Sequence, residues 1–230
     1  MIPQAKRFWK DVTVENRAIR LDGRALRTPA RAELVLPTDA LAHAVAEEWR
    51  QVEGEIDPHT MPLTGLANAA IDRIAPDTAA FAAGLARYAE GDLLCYRASH
   101  PTELTARQGA MWDGPLDWAR ARYGVEFRVT AGIVHIAQPE ETVKRLAAAV
   151  SARDAFHLAG LSPLVTLSGS LVLALAIAEG AMTEHDGWEA AELDDLWQAE
   201  QWGEDVLATA AREDKRRDFR AAARFLGLLE

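Results

Sequence analysis

Leu158–Ala178, LAGLSPLVTLSGSLVLALAIA, runs for 21 positions without a charged residue, and its reading decides the fold. A helix of that length could cross a bilayer. Its content argues otherwise, because Ser162, Pro163, Thr166, Ser168, Gly169 and Ser170 leave it only moderately apolar. The serine–proline step also puts a break near its start. From Ser162 onward the stretch reads as a central helix, Leu164 to Ile177, apolar on nearly every side and so enclosed by neighbours. Amphipathic patterns before and after it supply those neighbours. The expectation is a helical core without stable membrane insertion.

Upstream, residues 7–36 alternate and turn like a β-meander. Phe8 and Trp9 open it, Val12, Val14, Ile19 and Leu21 space the apolar positions, and Asp22-Gly23 signals a tight turn. Leu26, Leu34 and Leu36 continue the pattern, with Arg24 and Arg27 exposed. Thr38 or Asp39 then caps a helix in which Leu41, Ala44, Val45, Trp49 and Val52 mark one buried face; Glu47 and Glu48 face solvent or flank it. Residues 53–63, EGEIDPHTMPL, form the best linker in the chain. Asp57 and His59 there have no further ligand at metal-binding spacing.

Helical spacing dominates the chain beyond residue 63. Leu66 to Ile71 lead to a break at Pro76-Asp77, and Phe81, Leu85 and Tyr88 share the next face. Cys95 lies in a short apolar run and reads as a small buried hydrophobe. A helix near 102–113 should end before Pro115, which begins its successor. VEFRVTAGIVHIA, residues 125–137, reads as two strands around Ala131-Gly132, with His135 on a strand face.

The segment Gly187–Asp205, GWEAAELDDLWQAEQWGED, holds three of the seven tryptophans and seven acidic residues, with no basic one. At 100° per residue, Leu193, Leu196, Trp197 and Leu207 fall on one side with Glu200 and Glu204, and Trp202, Val206 and Ala199 on the other. Between them runs a polar ridge of Asp194, Gln198, Gln201 and Asp205, provided Gly203 does not end the helix. Tryptophan is enriched at interface anchors, and the ridge carries no His, Cys, Ser or Lys for nucleophilic or metal chemistry. It reads as a contact surface. The basic stretch after it, residues 211–227, reads as a solvated helix with Phe219, Phe225 and Leu226 docked inward and a Glu213–Arg217 pair.

Composition bounds the function. The 230 residues are 49% hydrophobic and 26% charged, which describes a globular chain with room for a core. A net charge of −10 excludes a general nucleic-acid binder and repels anionic membranes. One cysteine forms no internal disulfide and fits a reducing compartment, and MIPQAKRFWKDV has no apolar leader core. Phosphate-binding glycine loops, the nucleophile elbow and the zincin motif are all missing from the sequence, so no cofactor or metal is expected.

Together, RFWKDVTV, LDGRALRTP, ALAHAVAEEW, MPLTGLANAAID, GDLLCYRA, WDGPLDWARARYGV and LDDLWQAEQWGED resemble the assembly-chaperone family for the alpha subunit of the F-type ATP synthase catalytic head. The resemblance covers nearly the whole chain. It implies an α+β protein, with a small N-terminal β-rich domain containing one helix, residues 1–60, and a larger mainly helical domain, residues 61–230. It implies a non-enzyme that binds the unassembled alpha subunit and prevents its aggregation until the beta subunit replaces it. The free protein is expected to be monomeric and cytoplasmic, with eukaryotic relatives in the mitochondrial matrix. The family's functional acid corresponds to Asp194, where the family commonly has Glu. Gln198, Trp202 and Gly203 match directly. With Gln201 and Asp205 of the ridge, these form the expected partner-binding set. The competing reading is an enzyme with a carboxylate site built from Asp194, Asp195 or Glu200.

The spacing of the first helix generates one prediction. Trp49→Ala should cost ~3–5 kcal/mol if the ring is fully buried, measured by thermal or urea unfolding. Unchanged stability would place Trp49 on the surface.

Overall fold

The computed structural model describes residues 6–230, so the first five positions of the sequence lie outside the described residues. A three-stranded antiparallel meander opens the described chain: β1 (Val12–Glu15), β2 (Ala18–Leu21) and β3 (Arg24–Ala25). Val12 pairs with Leu21 and Arg20 with Ala25. Both turns take positive φ at their two central residues, Asn16 and Arg17 in the first and Asp22 and Gly23 in the second. That backbone matches the twist of paired strands. Asn16-Arg17 is the turn that composition did not announce.

Helix α1 (Asp39–Gln51) starts where Thr38 accepts from the amide of Leu41, and buries Leu41, Ala42, Val45 and Ala46. Trp49 is only half-buried. Its ring lies 5.1 Å from that of Trp9, and Trp9, 3% exposed, takes the deeper place. The loss on truncating Trp49 therefore falls at the low end of the range for a fully buried ring. Glu48 does more than flank the helix. Its carboxylate accepts from the amides of Leu63 and Thr64, both at 2.8 Å, and from the Thr64 hydroxyl at 2.7 Å. It thereby holds the N-terminus of α2 (Pro62–Ala69). Asp57 caps a single 3₁₀ turn through the amide of His59, which leaves no ligand pair there.

A π-helical turn, Ala70–Ile74, follows α2. Its Asp72 reaches back to the meander, accepting from the Thr28 hydroxyl at 2.6 Å and the Ala30 amide at 2.9 Å. Asp77 caps α3 (Thr78–Ala86) at the expected break. Two residues of β4 (Tyr96–Arg97) then pair in parallel with two of β5 (Thr130–Ala131). Between them runs α4 (Thr102–Tyr123), which continues straight through Pro115. The expected break is absent, and Gly114 before the proline eases the helical conformation there. A residue before proline is pushed out of the helical region partly by its Cβ, and glycine has none. The second expected strand, after Gly132, is also absent: β5 ends at Ala131, and Ile133 and Val134 stand 99% and 76% exposed.

After α5 (Glu140–Ser151), the uncharged stretch forms two helices rather than one. Helix α6 (Ala155–Ser168) carries Pro163 within it, and α7 (Leu171–Ala178) follows after a left-handed Gly169. No helix among the described residues is long and apolar enough to cross a membrane. Ser170 caps α7 through the Leu173 amide. Asp92, fully buried, completes that cap. Its two oxygens accept from the Ser170 hydroxyl at 2.7 Å, the Val172 amide at 2.9 Å and the Leu94 amide at 3.1 Å. Every residue from Leu171 to Ala176 is buried. Helices α8 (Glu184–Ala191), α9 (Leu193–Trp202) and α10 (Val206–Gly227) close the fold. Phe219, Phe225 and Leu226 dock inward as expected, but Arg217 pairs with Asp214 at 3.0 Å while Arg216 takes Glu213. The buried apolar side chains form one continuous cluster from Trp9 to Leu226. The fold is α+β, a small β-rich start followed by a mainly helical body.

Burial pushes the Asp92 carboxyl up to about 6 from an ordinary 3.8, against the hydrogen bonds it accepts. The folded state therefore favours the protonated acid. The stability this contributes is fully present below pH 4 and is lost as pH rises through 6. A two-unit shift corresponds to about 3 kcal/mol. In urea unfolding from pH 4 to 7, the gap between the unaltered chain and Asp92→Asn should move by that amount in favour of the variant. Parallel profiles would exclude the shift.

Candidate partner-binding site

The tryptophan-rich segment folds as two helices and a third helix start, which redistributes the expected ridge. Trp188, on α8, is 1% exposed and packs on Phe219 with ring centres 5.4 Å apart. It is a core residue. The chain turns at Glu192 and α9 begins at Leu193. Gly203 does end α9, at φ 89° and ψ 160°, a region that is essentially restricted to glycine. Asp205 is then the N-cap of α10, accepting from the amides of Leu207 and Ala208, both at 2.9 Å. The ridge thus stops at Gln201, and Leu207 leaves the apolar stripe assigned to it.

Asp194 sits apart from the other members. It is half-buried and faces α4, where it accepts at 2.7 Å from the side-chain amide of Gln108. Gln108 is 1% exposed, and its own oxygen accepts from the Ala98 amide at 2.7 Å. Asp194 also lines a cavity of about 620 Å³ with Tyr96, Arg97, His100, Ile133 and His135. Further round α9, Gln198, Trp202, Gly203 and Asp205 line a separate groove of about 360 Å³ with Glu192, Asp195, Arg212 and Lys215. Gln201 is exposed and lines neither.

The groove is electrostatically divided. Glu192 is nearly buried, 3.5 Å from Arg212. Burial, and then the neighbouring Asp195 charge, raise its carboxyl above the usual range. Beside it, Trp202, Val206 and Leu207 are 79%, 82% and 81% exposed. They lie on either side of Gly203, Glu204 and Asp205, an apolar elbow at the α9–α10 joint. Sequence spacing found Trp202 but placed Val206 and Leu207 on a continuous helix. The Gly203 stop followed by an Asp205 cap was the available signal. Spacing also missed how α4 meets α9: Arg107 donates to both Glu200 oxygens, at 3.0 and 2.8 Å, and lies 4.6 Å over the Trp197 ring. These contacts fasten α9 to the body, as does the Trp112 indole donating to the Ala190 carbonyl at 2.8 Å for α8.

Asp194, Asp195 and Glu200 therefore face three different surroundings and share no reaction centre. Cys95 is buried, and its thiol is pushed up to about 12 by burial and the Asp92 charge, far from a reactive thiolate. A cavity of about 690 Å³ beside Arg122, Arg145 and Arg153 is a satisfied network. Glu179 accepts there from Arg122, Tyr123 and Arg153 at 2.6–2.7 Å.

Residues 6–120 match the family model for ATP12 chaperone protein, which sets the chain in a class of chaperones. Solved structures agree over nearly its whole length. Atp12 from Paracoccus denitrificans is 40% identical with a TM-score of 0.93, covering 98% of this chain and 99% of that one. A protein from Agrobacterium tumefaciens is 42% identical with a TM-score of 0.94, covering 98% and 86%. The mitochondrial protein atp12 of Schizosaccharomyces pombe is 25% identical over 217 residues, 87% of this chain and 75% of that protein. The chain belongs to the ATP12 chaperone family.

The two sides of α9 should respond differently to substitution. Asp194→Lys removes the acceptor of a buried amide, which costs about 1–3 kcal/mol. Its effect on stability thus exceeds what an exposed ridge implies. Trp202→Ala, at an exposed position, should stay within about 0.5 kcal/mol. Thermal unfolding of both variants checks the contrast.

Proposed function

We propose that this chain is an assembly chaperone of the F-type ATP synthase that holds the unassembled alpha subunit of the catalytic head until the beta subunit replaces it. Membership of the ATP12 family supports the chaperone role, and the resemblance of its motifs supports the client. The observation that carries the reading is the elbow: three large apolar side chains, each about four-fifths exposed, at one helix joint. Monomeric proteins rarely leave such a patch open unless a partner covers it. Gln198, Gln201, Trp202, Gly203 and Asp205 are the proposed contacts on and around the elbow, and Asp194 is a proposed contact in the neighbouring cavity. Gly203 and Asp205 act by shaping the joint that presents Trp202.

The chemistry is binding and release, without bond making. The client surface that fits is an apolar recess with charges of both signs at its rim, since Asp195 and Asp205 but also Arg212 and Lys215 line the groove beside Trp202. Covering that recess would keep the subunit from self-association. The free chaperone is monomeric and works in the bacterial cytoplasm, as its mitochondrial relatives do in the matrix.

A pull-down with purified alpha subunit tests this. Trp202→Ala combined with Leu207→Ala should lower capture about 30-fold or more, the scale of an interface hot spot, with unchanged melting temperature. Added beta subunit should release the alpha subunit from the unaltered chain. Full capture by the folded double variant would overturn the role of the elbow, and no capture by the unaltered chain would overturn the client.

A further inference from the structure

Residues 133–136, IVHI, have the composition of a strand and no strand partner. Three of the four are β-branched, the residue type that best fits a pleated, half-buried surface. Yet the backbone N–H and C=O groups of Ile133, Val134, His135 and Ile136 form no backbone hydrogen bond with any described residue. Nor do side chains of the described residues reach these groups; the one hydrogen bond in the segment joins the His135 ring to the Tyr96 hydroxyl at 3.1 Å. The segment is nonetheless held in place at its start. Thr130 and Ala131 pair with Tyr96 and Arg97, and the Gly132 amide donates to the Arg97 carbonyl at 2.8 Å. Ile133 and Val134 are thus carried out into solvent by a fixed strand pair.

This edge borders the cavity that Asp194 lines from the opposite wall. One Asp194 oxygen holds Gln108, and the other takes no hydrogen bond from any described residue. Arg97, the cation in the same cavity, is buried and spent on Asp113 at 2.8 Å. An unpaired strand edge, the bare Ile133 side chain and an acid with a free oxygen therefore line one cleft.

We propose that residues 133–136 become a strand only in the complex, pairing with an extended segment of the client that carries a Lys or Arg toward Asp194. Main-chain pairing supplies affinity in such strand addition, and alternate side chains supply selectivity. The negative carboxylate complements the cation, and Ile133 or Val134 covers an apolar client residue on the same side. This rests on the alpha subunit being the client, and it gives the proposed Asp194 contact a role in a cavity separate from the groove beside Trp202.

Hydrogen–deuterium exchange and paired proline variants test it with purified alpha subunit. Amides in 133–136 should exchange at least tenfold more slowly in the complex, and no added protection there would overturn strand pairing. Adjacent N–H groups of a strand point to opposite sides, so Ile133→Pro and Val134→Pro should differ. One should lower capture at least tenfold and the other leave it within threefold. Equal capture by the two variants, at any level, would overturn the proposal while leaving the client reading intact, provided the unaltered chain captures alpha subunit and the Trp202 variant does not. Absence of capture by the unaltered chain would overturn both. A client-free dimer dissolved by one of the prolines, seen by sedimentation, would assign the edge to a second copy and also overturn the proposal.

Discussion

A helix that starts in the core has a problem at its first turn, where the amides have no partners within the helix. In α7 those amides lie among leucines and alanines, out of reach of solvent. Ser170 and the Asp92 carboxylate supply the missing acceptors, and Asp92 comes from a different part of the chain, between α3 and β4. Helices α4, α6, α8 and α10 all pack around α7, so its position sets theirs. The cost is a carboxyl held away from water, visible in its raised pKa. Neutral replacement relieves the charge but forfeits an acceptor.

The same device recurs where the β-meander meets the helices. Glu48 takes the first amides of α2, and Asp72 takes donors from the loop before α1. Thr38 donates from the start of α1 to the Leu228 carbonyl at 2.5 Å. Each contact joins segments distant in sequence through a buried or half-buried polar group, and such groups are expensive to leave unpaired. The meander is thus keyed to the helical body by donors and acceptors as well as by the shared apolar cluster.

Periodicity revealed the meander, the faces of α1 and α3 and the docking of α10, because each is a local pattern of burial. It failed where a partner elsewhere decides the outcome. The uncharged stretch looked like one helix because its apolar run hid Gly169-Ser170, a stop followed by a cap. Pro115 reads as a start, yet α4 runs through it, as α6 runs through Pro163. Residues 133–136 looked like a strand, and their composition does favour one, but a strand needs an edge to join and the described residues offer none. At the candidate site, Trp202, Gln198 and Gly203 were visible as members of one segment, whereas Asp194 facing Gln108 could not be read without knowing where α4 runs.

Helices α6 and α10 approach so closely at Gly160 that a Cβ there would lie 2.7 Å from Leu226 and 3.2 Å from Phe225. Those two side chains seal the core over α6. During synthesis, domains form as units from the N-terminal side onward, but this one cannot finish until residue 226 has left the ribosome. Until then the apolar run of α6 and α7 has no cover on that side. From the emergence of that run until residue 226 follows it, a nascent chain of this protein is therefore itself a sticky polypeptide, sharing for a time the predicament of the subunit it is proposed to protect.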